Sequence, residues 1–231
     1  MKTDTKFFLI GLFLFICFWT CDKIVVKNIK MSDYAVHGID VSRYQQNMDW
    51  SAVQKDNVHF SFIKATQGQK YKDPYFKRNW QKAKRSGIAR GAYHFFEFGD
   101  AAHVKKQARN FINTVKLERG DLPPVLDIEV EPTQRNYLDL IHIWVNEIQK
   151  HYGRDPIIYT NEFFYNTYLA NNVNGLPLWI AKYNHKPPKL KDGRYWDFWQ
   201  YRDNGKNYAR KGHIDLNVYC CDKKRFQREF R

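Results

Sequence analysis

Pro123-Pro124-Val125-Leu126-Asp127-Ile128-Glu129-Val130 is an apolar strand that carries acids at alternate positions. Strands buried on both faces normally hold Val, Ile and Leu throughout, so two carboxylates at period two need another cause. A strand rises about 3.3 Å per residue, which puts Asp127 and Glu129 on one face about 6.6 Å apart at Cα. Two like charges so close resist ionising together, so one pKa should rise. An ionised carboxylate beside a protonated acid is what acid-assisted glycosidic cleavage requires. The competing explanation is a solvated strand end, or a carboxylate paired with Arg.

Working outward, short β-branched and aromatic runs flank this strand on both sides. Those before it are Val36–Val41, His59–Ala65 and Ala89–Phe96; those after it are Pro156–Thr160, Pro177–Tyr183, Asp197–Tyr201 and Ile214–Tyr219. Helical stretches fill the early gaps: Trp50–Lys55, Pro74–Ser86, Ala101–Lys116, Tyr137–His151 and Glu162–Ala170. The fourth is the clearest, with Leu138, Ile141, Trp144, Val145 and Ile148 at three-to-four spacing. Gly87 and Gly153 stand where helix stops belong. Strand–helix alternation implies a mainly parallel sheet, and eight strands imply closure. The expected fold is α/β: an irregular TIM-like barrel of five β/α units followed by three loop-connected strands.

In such folds chemistry gathers at the carboxyl ends of the strands. Gly38-Ile39-Asp40-Val41-Ser42 ends the first strand with an acid, and His213-Ile214-Asp215-Leu216-Asn217 opens the last with another. If the barrel closes, these two strands are neighbours and Asp40 and Asp215 approach one mouth. Each alone also reads as a turn or cap carboxylate. Strand ends further carry Tyr93, Tyr159, Trp179, Lys182 and the Trp199-Gln200-Tyr201 triplet. Flat sugar faces stack on such rings, while amide, phenol and amine groups orient hydroxyls.

The chain has 231 residues, 17% of them aromatic, and a net charge of +14. So many rings exclude a disordered polymer, and a chain of this size buries a core without metal or disulfide staples. Lys2 and Lys6 precede an uninterrupted apolar run, Phe7 to Trp19, as in an export signal. As a helix that run spans only about 20 Å, short of a bilayer's hydrocarbon core. The expected organisation is residues 1–20 as export signal or short anchor, 21–36 as polar tether and 37–231 as one catalytic barrel. Cys21 leaves lipid attachment open, so secreted, periplasmic and membrane-attached forms all remain. The first 33 residues hold five lysines and three aspartates, which leaves +12 on the rest. That excess attracts polyanions, anionic cell-wall polymer among them. No nucleic-acid motif accompanies it, and an acidic mouth repels phosphate. Cys220 and Cys221 are adjacent, so a bridge between them would be strained.

Taken in order, seven motifs resemble one family, the Chalaropsis-type lysozymes of glycoside hydrolase family 25. They are Gly38-Ile39-Asp40-Val41-Ser42, Phe62-Ile63-Lys64-Ala65-Thr66, Gly91-Ala92-Tyr93-His94-Phe95, Asp127-x-Glu129, Pro177-Leu178-Trp179-Ile180-Ala181, Phe198-Trp199-Gln200-Tyr201 and Ile214-Asp215-Leu216-Asn217. The resemblance covers His37 to Tyr219 and implies the barrel described above. It also implies an N-acetylmuramidase acting on peptidoglycan between N-acetylmuramic acid and N-acetylglucosamine; separately from the resemblance, a monomer without metal or cofactor is expected. By position Glu129 matches the general acid. Asp127 matches the carboxylate that orients or stabilises the substrate's N-acetyl group, and Asp40 and Asp215 match the other two acids. Thr66-Gln67-Gly68 departs from the more frequent Thr-Glu-Gly. The rival functions are a non-catalytic peptidoglycan-binding module on the same fold, marked by loss of an acid, and a glycosidase acting on chitin. A metal-dependent hydrolase is a further rival, with His94 as its one good ligand. Carboxylate spacing at Cα leaves retention or inversion open.

Overall fold

The computed structural model describes residues 31–205 and 213–230. The expected export segment, Cys21 and most of the tether lie outside the described residues. Strands alternate with helices along the chain: β1 (His37–Val41), α1 (Trp50–Lys55), β2 (Val58–Gln67), β3 (Tyr71–Lys72), α2 (Phe76–Arg85), β4 (Ala89–Phe95), α3 (Ala101–Thr114), β5 (Val125–Asp127), α4 (Tyr137–Tyr152) and β6 (Ile157–Asn161). A single α-turn, α5 (Glu162–Phe164), then continues as a π-helical stretch, Tyr165–Leu169, before β7 (Leu178–Ala181), β8 (Phe198–Gly205), β9 (Ile214–Tyr219) and α6 (Lys223–Phe230).

The strands hydrogen-bond in the order β1-β9-β8-β7-β6-β5-β4-β2, and β1 pairs with β2 to close a barrel of eight strands. β3 hangs on β2 as a short antiparallel hairpin. Neighbours from β1 round to β8 are parallel, whereas β9 runs antiparallel to both β8 and β1. One rim therefore collects the carboxyl ends of the parallel strands and the start of β9.

Period two sorts the side chains. The barrel interior holds Phe60, Phe62, Val125, Ile157, Trp179, Phe198 and Tyr219, all buried. Leu126, Ile158 and Ile180 point outward into a second cluster with Phe111, Ile141 and Trp144 from the helices. The crowding inside explains two motif glycines. A Cβ on Gly38 would lie 2.2 Å from the Phe60 ring, and one on Gly91 2.6 Å from Phe62. At the rim opposite the catalytic motifs, Phe226 and Phe230 of α6 plug the barrel against Phe60, Phe198 and Tyr219.

Four expectations need correction. The fifth strand ends at Asp127 rather than Val130, because Glu129 and Val130 leave the sheet and are exposed. The tether does not extend to residue 36: Val36 is fully buried, and Tyr34 packs against Trp196 and Trp199. The helix expected over Glu162–Ala170 is one α-turn running into a π-helical turn. The strand β3 and the helix α6 were not expected at all.

Candidate active site

At the carboxyl rim the last inward-facing residue of most strands turns from apolar to polar. Asp40, Lys64, Tyr93, Asp127, Tyr159 and Gln200 line one mouth of about 500 Å³, joined by Glu129 and Asp215. The four expected acids thus share a single cavity. Asp40 and Asp215 stand directly opposite each other in the β1–β9 ladder.

A hydrogen-bond network fixes the floor. Tyr159 and Tyr183 both donate to Gln200 Oε1, at 2.8 and 2.9 Å. With its oxygen occupied, Gln200 turns its amide nitrogen to Asp40 Oδ2 at 2.8 Å. Trp179 Nε1 donates to Asn217 Oδ1 at 2.8 Å, and Asn217 in turn donates to the same Asp40 oxygen at 2.7 Å. Two donated N–H groups favour the ionised carboxylate, and they offset part of the burial that pushes Asp40 up. Burial and then Asp40 push Asp215 up to about 9, and the two carboxyls are hydrogen-bonded. A carboxyl pushed that far keeps its proton at neutral pH, so Asp215 is the proton-holding group that faces Asp40.

Asp127 is buried, and its Oδ1 has no hydrogen-bond partner. Burial first, then the charge of Glu129, hold its pKa well above the usual carboxylate range, against the pull of Lys64. Glu129 is open to solvent on one side and crowded by the mouth on the other. Its pKa is raised by that crowding and by Asp40, again opposed by Lys64. Both members of the pair are therefore raised, where like-charge repulsion alone would raise one. Lys64 donates to Gln67 Oε1 at 2.9 Å and lies over the Phe95 ring at 4.7 Å.

The structure divides the expected substrate-binding residues. Tyr93, Tyr159, Trp179 and Gln200 line the mouth. Trp179 serves as floor, stacked on Phe62 at 4.3 Å and only 2% exposed. Lys182, Trp199 and Tyr201 do not line it. Gln200 points inward, so its neighbours Trp199 and Tyr201 must point outward. Trp199 is fully buried against Trp196 and donates to the Lys182 carbonyl. Tyr201 opens onto a separate small hollow beside Tyr183. Lys182 lies past the end of β7, paired with Glu162 at 2.8 Å. His94 faces the helices, bonded to Thr66 and Gln107 and stacked on Trp144, with burial pushing it down to about 4. That placement removes it from the carboxylates. Reasoning from sequence missed Lys64 as a mouth residue and Asn217 as the buried donor to Asp40, although each stands in a quoted motif. Tyr183, the aromatic that closes the expected Pro177–Tyr183 strand, lines the mouth as well.

Residues 39–208 match the family described as Glycosyl hydrolases family 25. The chain is 43% identical over 195 residues to the uncharacterized protein YegX of Escherichia coli K12, covering 81% of this chain and 71% of that one. It is 34% identical over 200 residues to Lysozyme M1 of Streptomyces globisporus, covering 80% and 67%. Among solved structures, a family 25 glycosyl hydrolase from Bacillus anthracis superposes with a TM-score of 0.78 at 33% identity, covering 87% of this chain and 95% of that one.

Proposed function

The chain belongs to glycosyl hydrolases family 25, and from that premise we propose how its mouth works. It is a lysozyme, a glycoside hydrolase that cleaves the β-1,4 bond between N-acetylmuramic acid and N-acetylglucosamine in peptidoglycan. The observation that carries this reading is the convergence of Asp40, Asp127, Glu129 and Asp215 on one mouth. A non-catalytic module would have no need to keep four acids against their burial.

Glu129 is the general acid. Its raised pKa keeps a proton available, and its exposure lets the glycosidic oxygen reach it. Asp127 orients the substrate's N-acetyl group through its unpartnered Oδ1 and stabilises positive charge as it develops on the sugar. Asp40, fixed by Gln200 and Asn217, is the anion that holds the Glu129 proton in place. Tyr93, Tyr159 and Gln200 bind the sugar.

The enzyme works outside the cytoplasm, delivered or anchored by residues 1–20. From residue 34 onward the chain forms one catalytic barrel, monomeric, held to anionic wall by its positive charge.

Exchange of Glu129 for Gln tests the assignment. General acids contribute about 10²–10⁴-fold, so folded Glu129→Gln enzyme should lose at least that order of turnover on purified peptidoglycan. Circular dichroism checks the fold. Retention of more than about a tenth of wild-type turnover would move the acid to another of the four carboxylates.

A further inference from the structure

We propose that a second hollow beside the mouth seats the carboxylate-bearing peptide stem of muramic acid, so that the enzyme recognises peptide as well as glycan. The inference rests on the muramidase reading above. The hollow measures about 490 Å³ and shares Arg43, Tyr44, Lys64 and Gln67 with the mouth, so the two are continuous. Its remaining wall comes from the β2–β3 hairpin, including Lys70 and Tyr71, and from Glu97 and His103.

The two cavities differ in charge. Four carboxylates face Arg43 and Lys64 in the mouth. In the hollow Arg43, Lys64 and Lys70 face a single acid, Glu97. Glu97 accepts from the Gln67 amide at 3.0 Å. Among the described residues, none of the three cations makes an ion pair with a carboxylate. Arg43 is held ready by aromatic rings, 5.0 Å over Tyr44 and 5.7 Å over Tyr71, and donates to the Tyr44 hydroxyl at 3.3 Å. A guanidinium laid on rings keeps its outer N–H fork free for a planar carboxylate. Two polar atoms of these walls, Tyr71 Oη and His103 Nε2, are buried without a partner.

The ligand follows from where the bond is cut. The scissile bond leaves C1 of muramic acid, and C3 of the same sugar carries the lactyl ether and its peptide. With that sugar against Asp127 and Glu129, the peptide must leave close to the mouth. Peptidoglycan stems end in free carboxylates, whereas the glycan hydroxyls and acetamides are neutral. Lys64 already serves the mouth's carboxylates, but Arg43 at the junction and Lys70 beyond it have no ion-pair partner among the described residues and suit the stem.

Lys70 is the probe, because it lines the hollow and not the mouth, is exposed, and makes no hydrogen bond among the described residues. Steady-state kinetics would compare soluble stem-bearing strands with strands of matched length freed of their stems by an amidase and then capped as neutral amides at the lactyl carboxylates that this exposes. Wild type should prefer the stem-bearing strands. Lys70→Glu should lower kcat/KM on them about three- to tenfold, the effect of replacing an attractive rim charge by a repulsive one. The loss should fall on KM, shrink with added salt and be restored by Lys70→Arg. On stem-free strands Lys70→Glu should match wild type. Equal losses on both substrates, no loss on either, or a wild type indifferent to the stem would overturn the proposal. A wild type inactive on both would overturn the muramidase reading, and this inference with it.

Discussion

Asp40 stands opposite Asp215 at the mouth, and its carboxylate acts on the acid across from it, Glu129. The Glu129 pKa is raised first by burial and then by Asp40, and is opposed by Lys64. The sign follows directly. A raised pKa keeps Glu129 protonated to higher pH, so removing the cause moves the alkaline limb of the pH–rate profile down. Asp40→Asn alone lets the charge pass to Asp215, whereas the double exchange Asp40→Asn with Asp215→Asn abolishes it. In the double variant the Glu129 carboxyl should titrate closer to the ordinary value of about 4.3, while in Asp127→Asn it should stay near wild type. Carboxyl-carbon NMR titration reads this without activity. An unchanged Glu129 in the double variant, or an equal fall in Asp127→Asn, would contradict the account. The four acids were legible in the sequence because a carboxylate in an apolar strand is conspicuous. Lys64 was not, since a lone lysine within Phe62-Ile63-Lys64-Ala65-Thr66 reads equally as a solvated strand position.

Elements were legible where local periodicity and tertiary packing agree. α4 follows its apolar stripe and stops at Gly153, which takes a left-handed φ of 64°. β5 is shorter than its apolar run because a strand also needs a partner, and Glu129 lies beyond the last paired residue, Asp127. The period-two rule that joined Asp127 to Glu129 equally separates Gln200 from Trp199 and Tyr201; applied there, it would have removed both from the sugar site. α6 was invisible for another reason. Within its eight residues only Phe226 and Phe230, one turn apart, are apolar, and their partners Phe60, Phe198 and Tyr219 are remote in sequence. Phe226 is 3% exposed, and burying an aromatic of this kind is worth about 3–5 kcal/mol against Ala. Phe226→Ala should therefore lower Tm by roughly 6–20 °C, at about 2–4 °C per kcal/mol for this size. A shift below about 2 °C would show that α6 is not a plug.

The whole molecule builds its site by closing. Asp40 receives its two amide donors from residues 160 and 177 positions away. Neither contact exists until β9 slots between β8 and β1. That is why the seven motifs are individually weak and jointly specific: they are the inner rim of one barrel, spread along the chain by the β/α units. It also explains why the neighbouring hollow could not be read from the sequence. Its cations come from the end of β1, from β2 and from the turn into β3, and only the closed sheet sets them beside the carboxylates. The assembled mouth is built to cut the bond that leaves C1 of N-acetylmuramic acid. Mass spectrometry of the fragments released from purified peptidoglycan by the intact enzyme tests it most directly. New reducing ends should be N-acetylmuramic acid; reducing-end N-acetylglucosamine would contradict the account.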